Sequence, residues 1–281
     1  MLSTKNIGFI GGGNMAAAFI GGLVESQAAP AAHIICSDVR EEARQDLAKR
    51  FGVGVTHDNL EVIRRSEIVV YAVKPQVLPQ ALRETAKAVD ATKLIISIAA
   101  GVPLAAIALG LGKSDEDLRL IRVMPNICAL VGESATAIAT GAGARPGDAD
   151  LASALFNAVG KSLVIGEHLL DAFTGLCGSG PSYVFLIIEA LADAGVNMGL
   201  SRQDALLLAG QTLFGSAKML LDSGEHPAQL RDRVTSPGGT SIAGVHALEQ
   251  GALRATLINA VAAATERSRQ LGRAMAENFS G

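Results

Sequence analysis

The sequence predicts a doubly wound, largely parallel α/β sheet over residues 1–165, followed by an all-helical region over residues 166–281. In the first part, short apolar runs alternate with helical stretches. The runs are continuously hydrophobic rather than alternating, which indicates strands that are covered on both faces. Beyond residue 166 the strand signals stop and only helical patterns follow. The chain is therefore expected to contain two regions of different architecture.

The elements of the first region follow from this alternation. The strand-like segments are 6–10, 33–37, 68–73, 94–98, 119–124, 134–140 and 162–165. Helical patterns separate them at 15–27, 41–51, 76–89, 104–110 and 148–159. Glu41 and Glu42 occupy the first turn of the second helix, where the helix dipole favours acidic side chains.

The second region consists of predicted helices at 171–176, 181–197, 202–223, 227–233, 239–250 and 253–276. Segment 183–191 is apolar almost all round, and 205–221 nearly so; such helices need neighbours on every side. Charged residues make up only 18% of the chain, beside 47 alanines and 31 glycines, so more surface than usual is expected to be covered. These features predict a homodimer with interleaved helices.

Composition excludes several classes of protein. The net charge of −3 and the absence of a basic cluster argue against nucleic-acid binding. The three cysteines are far apart in the sequence, which favours a reducing, cytoplasmic location. The uncharged stretch 94–112 contains Gly101-Val102-Pro103 at its middle, so we expect strand, turn and helix there rather than a membrane span.

A glycine cluster joins the first strand to the first helix. The spacing Gly11-x-Gly13-x-x-Ala16 fits a dinucleotide fingerprint, and it has a strand before it and a helix after it. Gly11 allows the tight turn, Gly13 allows close backbone approach to a diphosphate, and Ala16 permits close packing of helix on strand. The fold is therefore predicted to be of the Rossmann type, with NADPH or NADH as cofactor.

Cofactor preference depends on the end of the second strand. Asp38 lies 22 residues after Ala16, near the spacing at which an acidic residue accepts from the adenosine ribose and favours NADH. Ser37 and Arg40 could instead donate to a 2′-phosphate and favour NADPH. A third interpretation makes Asp38 the N-cap of the following helix. The sequence leaves these alternatives open.

Further candidate residues lie at the carboxyl ends of other strands, where ligands of such sheets bind. They are Ala72, Val73, Lys74, Pro75, Ala99, Gly101 and Asn126. Small residues and prolines there let a flat ring lie against the backbone. Lys74 could equally be a solvated cation, whereas the amide of Asn126 is suited to a carboxamide or a substrate.

Two glycine-rich helix starts stand out in the helical region. The first, 175–181, places Ser179 near an N-cap; the second contains Val234, Ser236, Gly238, Gly239, Thr240 and Ser241. Successive backbone amides at such starts bind carboxylates or phosphates. Capping alone would explain either segment, but two of them in one helical region favour a pocket for a small anion.

The sequence lacks the common motifs of metal, serine-nucleophile and phosphate-loop chemistry. It contains no H-E-x-x-H, G-x-S-x-G or P-loop segment, and its cysteines and histidines do not cluster. No metal is therefore expected. The chemistry must require little proton transfer from side chains.

The combined motifs resemble the Δ1-pyrroline-5-carboxylate reductase family over nearly the whole chain. The matching segments are 7–15, 72–75, 98–101, 124–126, 175–182, 198–200, 215–219 and 233–241. The resemblance implies an NAD(P)-binding domain at 1–165 and a helical dimerisation and substrate-binding domain at 166–281. It also implies interwoven homodimers, with a decamer as the larger assembly.

The resemblance assigns roles by position. For the cofactor it implies Gly11, Gly13, Asn14 and Met15 at the diphosphate, Asn59, Ala72, Lys74 and Pro75 along the ribose side, and Ala99, Gly101 and Asn126 near the nicotinamide. For the substrate it implies Val234, Ser236, Gly238, Gly239, Thr240 and Ser241, with Ser179 nearby. The reaction would reduce the imine of 1-pyrroline-5-carboxylate to L-proline, with Thr240 or Ser241 hydrogen-bonded to the imine nitrogen.

Two other functions remain open at this point. A β-hydroxyacid dehydrogenase shares the predicted architecture, but that family's catalytic lysine would fall at Val184. A non-catalytic nucleotide-sensing protein would need no anion pocket in the helical region. An assay that compares the imine with a 3-hydroxy acid distinguishes these functions.

Overall fold

An eight-stranded sheet occupies the first part of the chain in a computed structural model that describes residues 1–277. Its strands are β1 (Ile7–Ile10), β2 (Ile34–Ser37), β3 (Gly54–Thr56), β4 (Ile68–Tyr71), β5 (Leu94–Ser97), β6 (Arg119–Met124), β7 (Ser134–Thr140) and β8 (Gly160–Val164). Their spatial order is β3-β2-β1-β4-β5-β6-β7-β8, with β6 and β7 as the one antiparallel pair of this sheet. The predicted fold class is confirmed.

Helices cover both faces of the sheet. They are α1 (Asn14–Glu25), α2 (Glu41–Phe51), α3 (Asn59–Arg65), α4 (Leu78–Thr85), α5 (Leu104–Gly110) and α6 (Asp148–Phe156). On one face, Phe19 of α1 meets Phe156 of α6 edge to face, with ring centroids 4.9 Å apart. On the other, the buried Tyr71 hydroxyl lies 2.6 Å from Thr85 Oγ1 of α4. The two covered faces explain why the strands are continuously apolar.

Several elements differ from the sequence predictions. β3 and α3 were not predicted, because a three-residue strand gives almost no periodicity and α3 has no proline or glycine at either boundary. α3 is capped by Asp58, whose carboxylate accepts from the Leu60 amide at 2.8 Å. α4 is shorter than the predicted 76–89. β4 ends at Tyr71, two residues before the predicted end.

A nearly buried ion pair joins β6 to α6. Arg119 Nη2 and Nε donate to the two carboxylate oxygens of Asp148 at 2.6 and 3.1 Å, and the Arg145 amide adds a third hydrogen bond. Only 1% of the Asp148 side chain is exposed. Burial acts to raise the pKa of Asp148, but these hydrogen bonds outweigh it and hold the pKa below its ordinary value.

Replacing Asp148 by alanine should destabilise the fold by about 3 kcal/mol, because Arg119 would keep a largely buried charge without its partner. Asp150→Ala, an exposed change in the same first turn, is the control. Since the folded-state pKa is lowered, the carboxylate's contribution is complete above pH about 4 and is lost as the pH falls through the lowered value. Urea unfolding at pH 7 and pH 3 measures both effects; equal stability of the two variants at pH 7 would contradict the assignment.

Helices form the rest of the described chain. They are α7 (Leu170–Phe173), α8 (Gly180–Asn197), α9 (Arg202–Ser223), α10 (Pro227–Arg233), α11 (Thr240–Gln250) and α12 (Leu253–Glu277). Between α7 and α8, Thr174–Gly178 forms a π-helical turn, so the predicted helix 171–176 does not continue as an α-helix.

The chain divides into two compact units. Unit 1 contains Met1–Gly178 together with α12 from Ala263 onward, and unit 2 contains Ser179–Ala262. The last strand ends at Val164, so the helical part of the chain begins inside unit 1. The functional division at residue 165 stays a prediction.

Unit 2 has a small core and a large apolar surface. Ala192, Ala205 and Ala209 are buried where α8 packs on α9. Large side chains elsewhere on the same two helices are exposed: Phe185 63%, Leu186 65%, Leu207 71% and Leu221 77%. The stretch Glu167–Asn197 is also long and apolar enough to cross a membrane by length and composition, with 11% of its apolar window buried. A protein partner that covers this face would bury the same apolar residues as well as a membrane would.

Candidate dinucleotide and anion sites

The turn after β1 is built around a close approach to the segment after β4. Gly11 has φ +100°, a conformation that side chains rarely adopt, and its amide donates to the Ser37 carbonyl at 2.8 Å. A Cβ on Gly11 would lie 2.8 Å from both the Ala72 carbonyl oxygen and Val73 Cγ1. β1 lies between β2 and β4 at the point where the strand order reverses. Ligands of doubly wound sheets bind in the crevice at this point.

The start of α1 provides an anion cradle at that crevice. Gly13 is the N-cap, no side chain caps the helix, and a Cβ on Gly13 would meet nothing within 4 Å. The helix begins at Asn14, and its first hydrogen bond runs from the Ala17 amide to the Gly13 carbonyl. The amides of Asn14 and Met15 therefore lack intrahelical acceptors and are available to an anion. A diphosphate fits this cradle, with Ala16 fully buried beneath it.

Asp38 is fixed by hydrogen bonds to the glycine turn and to Arg40. Its Oδ2 accepts from the Gly12 amide at 2.8 Å, while its Oδ1 accepts from the Arg40 amide at 2.8 Å and from Arg40 Nε at 3.1 Å. Partial burial acts to raise the pKa of Asp38, but the hydrogen bonds from Arg40 and Gly12 lower it below its ordinary value. The N-cap of α2 is Arg40, so the capping alternative for Asp38 is not what the structure adopts.

Ser37 points into the protein rather than toward solvent. Its side chain is fully buried, and its hydroxyl donates to Asn59 Oδ1 at 2.6 Å. Asn59 Nδ2 in turn donates to Glu84 Oε2 at 3.0 Å. The buried hydroxyl orients Asn59, so a direct contact of Ser37 with a ribose phosphate has no support in this geometry. Arg40, with 60% of its side chain exposed, is the donor left beside Asp38.

The segment after β4 borders the same crevice. Its first residue, Ala72, is joined to β1 by a hydrogen bond from its amide to the Ile10 carbonyl at 2.8 Å. Lys74 is exposed, and its carbonyl begins the turn into α4 by accepting from the Val77 amide. Pro75 is half-buried. This arrangement is compatible with Lys74 as a cofactor contact and with Lys74 as a solvated cation.

The remaining candidate cofactor contacts of unit 1 lie just after β5 and β6. Ala99 is buried, and Gly101 has φ +75°. The amide group of Asn126 is used twice by the fold: Oδ1 accepts from the Cys128 amide at 3.2 Å, and Nδ2 donates to the Cys177 carbonyl at 3.0 Å. Asn126 therefore anchors the π-helical turn, a role that the sequence did not indicate.

In unit 2, the start of α11 is an exposed loop with no side-chain cap. Gly238 has φ +67°, and the Gly239 amide donates to the Ser236 carbonyl at 3.0 Å, which closes a turn before the helix. Gly239 is the N-cap, and Thr240 and Ser241 are the first two helical residues. Their backbone amides lack intrahelical acceptors, and their side chains are exposed.

Two further candidates flank unit 2 helices. Val234 ends α10 and is 63% exposed. Ser179 is the N-cap of α8 but accepts no capping hydrogen bond on its side chain; its carbonyl accepts from the Ser182 hydroxyl at 2.7 Å.

The described residues offer no metal centre, and the pKa values of two cysteine thiols are raised. Over residues 1–277, no three His, Cys, Asp or Glu side chains lie close enough to hold a metal ion. Burial, with a contribution from Asp38, raises the pKa of Cys36 to about 12, and burial also raises the pKa of Cys177. A neutral thiol is a poor nucleophile.

A Rossmann-type sheet with an uncapped cradle at its crevice, followed in the chain by a helical region, is typical of nicotinamide-dependent oxidoreductases. Residues 6–101 match the family described as "NADP oxidoreductase coenzyme F420-dependent", and residues 167–271 match "Pyrroline-5-carboxylate reductase dimerisation". The pyrroline-5-carboxylate reductase of Methanosarcina acetivorans is 45% identical over 97% of this chain and 100% of its own. The chain belongs to the pyrroline-5-carboxylate reductase family.

Solved structures agree with this assignment. A pyrroline-5-carboxylate reductase from Coxiella burnetii has a TM-score of 0.92 and 35% identity, covering 95% of this chain and 98% of its own. The Plasmodium falciparum pyrroline carboxylate reductase with NADP bound has a TM-score of 0.83 and 31% identity, covering 97% and 100%. The fold class, the family and the nicotinamide cofactor predicted from the sequence are confirmed.

Proposed function

We propose that the start of α1 holds the cofactor and the start of α11 holds the substrate as this chain reduces the C=N bond of 1-pyrroline-5-carboxylate to L-proline, the last step of proline synthesis. The observation that carries the proposal is the pair of glycine-rich helix starts, of α1 in unit 1 and of α11 in unit 2, each with a glycine N-cap and no side-chain cap. One suits the diphosphate of a cofactor, and the other suits the carboxylate of a small substrate.

The substrate half rests on the α11 start. The amides of Thr240 and Ser241 provide donors for a carboxylate, and the turn from Ser236 through Gly238 and Gly239 holds them in place. The hydroxyl of Thr240 or Ser241 hydrogen-bonds the imine nitrogen, donating to the neutral imine or accepting from the N–H of the protonated imine. Ser179 and Val234 lie beside the ring. A protonated imine is already electrophilic, so orientation supplies much of the rate.

The cofactor half rests on the β1–α1 turn and the neighbouring strand ends. Gly11, Gly13, Asn14 and Met15 hold the diphosphate, and the bound nicotinamide supplies the hydride. The other proposed cofactor contacts are Ser37, Asp38, Arg40, Asn59, Ala72, Val73, Lys74, Pro75, Ala99, Gly101 and Asn126. Among these, Ser37 acts through Asn59, and Asn126 acts by holding the backbone at Cys177.

Asp38 is proposed to set the cofactor preference. The ionised carboxylate, fixed at the end of β2, accepts from ribose hydroxyls and repels a 2′-phosphate, while Arg40 offsets part of that repulsion. Asp38→Ser should raise the ratio of kcat/KM for NADPH to kcat/KM for NADH by about tenfold, equivalent to ~1.4 kcal/mol.

The assay follows oxidation of NADPH and NADH in parallel with the imine substrate and with a 3-hydroxy acid. Glu42→Ser, which removes an exposed acid from the first turn of α2, is the matched control and should leave the ratio unchanged. Turnover of the hydroxy acid in place of the imine would refute the proposed reaction. An unchanged ratio in Asp38→Ser would refute only the role of Asp38.

The assembly is proposed to be a homodimer through unit 2, with a decamer as the larger form. The exposed apolar side chains of α8 and α9 support a partner of the same kind, and the matched family description refers to dimerisation. We propose that the α11 start of one chain completes the site of its partner. A cytoplasmic location without membrane attachment fits three cysteines that are all free thiols.

A further inference from the structure

A cavity lies within unit 1, beside the turn after β5. It has a volume of about 260 Å³ and is lined by Gly101, Arg122, Asp171, Arg269, Gly272 and Arg273. This volume is below the range typical of drug-sized ligands, so the cavity is suited to a small molecule. None of the three arginines belongs to the proposed dinucleotide or substrate contacts.

Three arginines line this cavity. Arg122 lies on β6 and is 9% exposed; its Nη1 donates to Glu167 Oε1 at 3.0 Å. That contact uses one of its five N–H donors, and it is the one side-chain hydrogen bond that Arg122 makes among the described side chains. The planar donor set of arginine matches a carboxylate, and its contacts are strongest where water is excluded.

The other two arginines are on α12 and are exposed. Arg273 Nη2 lies 3.2 Å from Glu266 Oε1, and Arg269 Nη1 lies 3.6 Å from Glu266 Oε2. Since these pairs are exposed to solvent, they are weak, and either guanidinium can exchange Glu266 for a ligand.

A single acid, Asp171, also lines the cavity. Its Oδ1 accepts from the Ser268 hydroxyl at 2.7 Å, which fixes the carboxylate. The second oxygen of this carboxylate can accept from an ammonium group. Three arginines and one aspartate therefore present complementary charges to a molecule that carries a carboxylate and an ammonium.

We propose that this cavity binds a small zwitterionic α-amino acid, with its carboxylate at Arg122, Arg269 and Arg273 and its ammonium at Asp171. Gly101 borders the cavity and is also a proposed nicotinamide contact, so the proposed amino-acid site adjoins the proposed cofactor site. A Cβ on Gly272 would lie 3.2 Å from the Gly101 carbonyl oxygen, so α12 packs directly on this turn. The proposal does not depend on the proposed reaction.

The test is calorimetric titration of the full-length chain with glycine and L-alanine, compared with acetate and inorganic phosphate. L-Proline is left out because it also fits the proposed substrate half. We expect saturable binding of the two amino acids and at least tenfold weaker binding of acetate. An exposed double variant, Arg269→Ala/Arg273→Ala, should weaken amino-acid binding at least tenfold, whereas Arg267→Ala, on the same helix outside the cavity, should not change it.

A second variant tests the ammonium contact. Asp171→Asn keeps an oxygen for the Ser268 hydroxyl and should reduce the preference for L-alanine over acetate to less than threefold. Absence of amino-acid binding, equal binding by phosphate, or unchanged binding in the double arginine variant would each overturn the proposal. Activity in the imine assay is a separate readout, so failure of this site is distinguishable from failure of the proposed function.

Discussion

Replacing Gly13 by aspartate should weaken dinucleotide binding at least 100-fold and leave the melting temperature unchanged or slightly higher. Gly13 is the N-cap of α1, with φ −76° and ψ −177°, and nothing lies within 4 Å of the Cβ it would gain. Aspartate is among the preferred N-cap residues, so the helix itself would gain a cap. The same carboxylate would stand where a diphosphate binds. Two unit charges 4 Å apart repel by about 4 kcal/mol at an effective dielectric constant of 20, so a 100-fold loss is a conservative expectation.

Gly13→Asn is the matched control, because asparagine is also a preferred N-cap residue and has nearly the same shape without the charge. Fluorescence titration with NADPH and NADH measures the affinity, and thermal unfolding measures the stability. Gly13→Asn should weaken dinucleotide binding less than Gly13→Asp does, and both variants should remain folded. If the Gly13→Asp variant bound the dinucleotide as tightly as the wild type does, the diphosphate could not lie at the start of α1.

Removing both hydroxyls at the start of α11 should lower kcat/KM for the imine substrate by about tenfold or more. In Thr240→Val/Ser241→Ala the backbone amides remain, so carboxylate binding is kept while the hydrogen bond to the imine nitrogen is lost. A tenfold loss corresponds to ~1.4 kcal/mol, the order of one hydrogen bond that strengthens in the transition state. The loss should fall mainly on kcat.

The control is Thr256→Val in α12, where the hydroxyl donates to the Ala252 carbonyl at 3.2 Å within its own helix. Its kinetics should match those of the wild type. Cofactor affinity in the double variant should also be unchanged, since neither hydroxyl lies in unit 1. Wild-type kcat/KM in the double variant would remove Thr240 and Ser241 from the catalytic step.

Helices with clear apolar spacing, or with a proline or glycine at a boundary, were predictable from the sequence whatever their length. α2, α5, α9 and α10 begin and end at the predicted residues, because each has clear apolar spacing or a proline or glycine at its boundary. β3 was missed because a half-buried three-residue strand at the sheet edge lacks a continuous apolar run. Its pairing with β2 is a tertiary effect that local sequence does not encode.

In the candidate site, the sequence predicts backbone geometry better than it predicts the roles of polar side chains. Glycine spacing predicted the cradle because backbone geometry restricts which residues fit at Gly11. Burial, however, decides what a polar side chain does. Their places at strand ends predict Ser37 and Asn126 as ligand contacts, whereas in the structure their polar groups hydrogen-bond Asn59 and the backbone at Cys128 and Cys177.

The apolar surface of α8 and α9 also makes chain concentration a thermodynamic variable. Unit 2 buries little more than three alanines between these helices, so much of the apolar area available to stabilise it is on the outside. If a second copy covers that area, the free energy of folding includes the free energy of association. The melting temperature would then rise with the concentration of chain, and dilution alone would destabilise the protein without any change in its sequence.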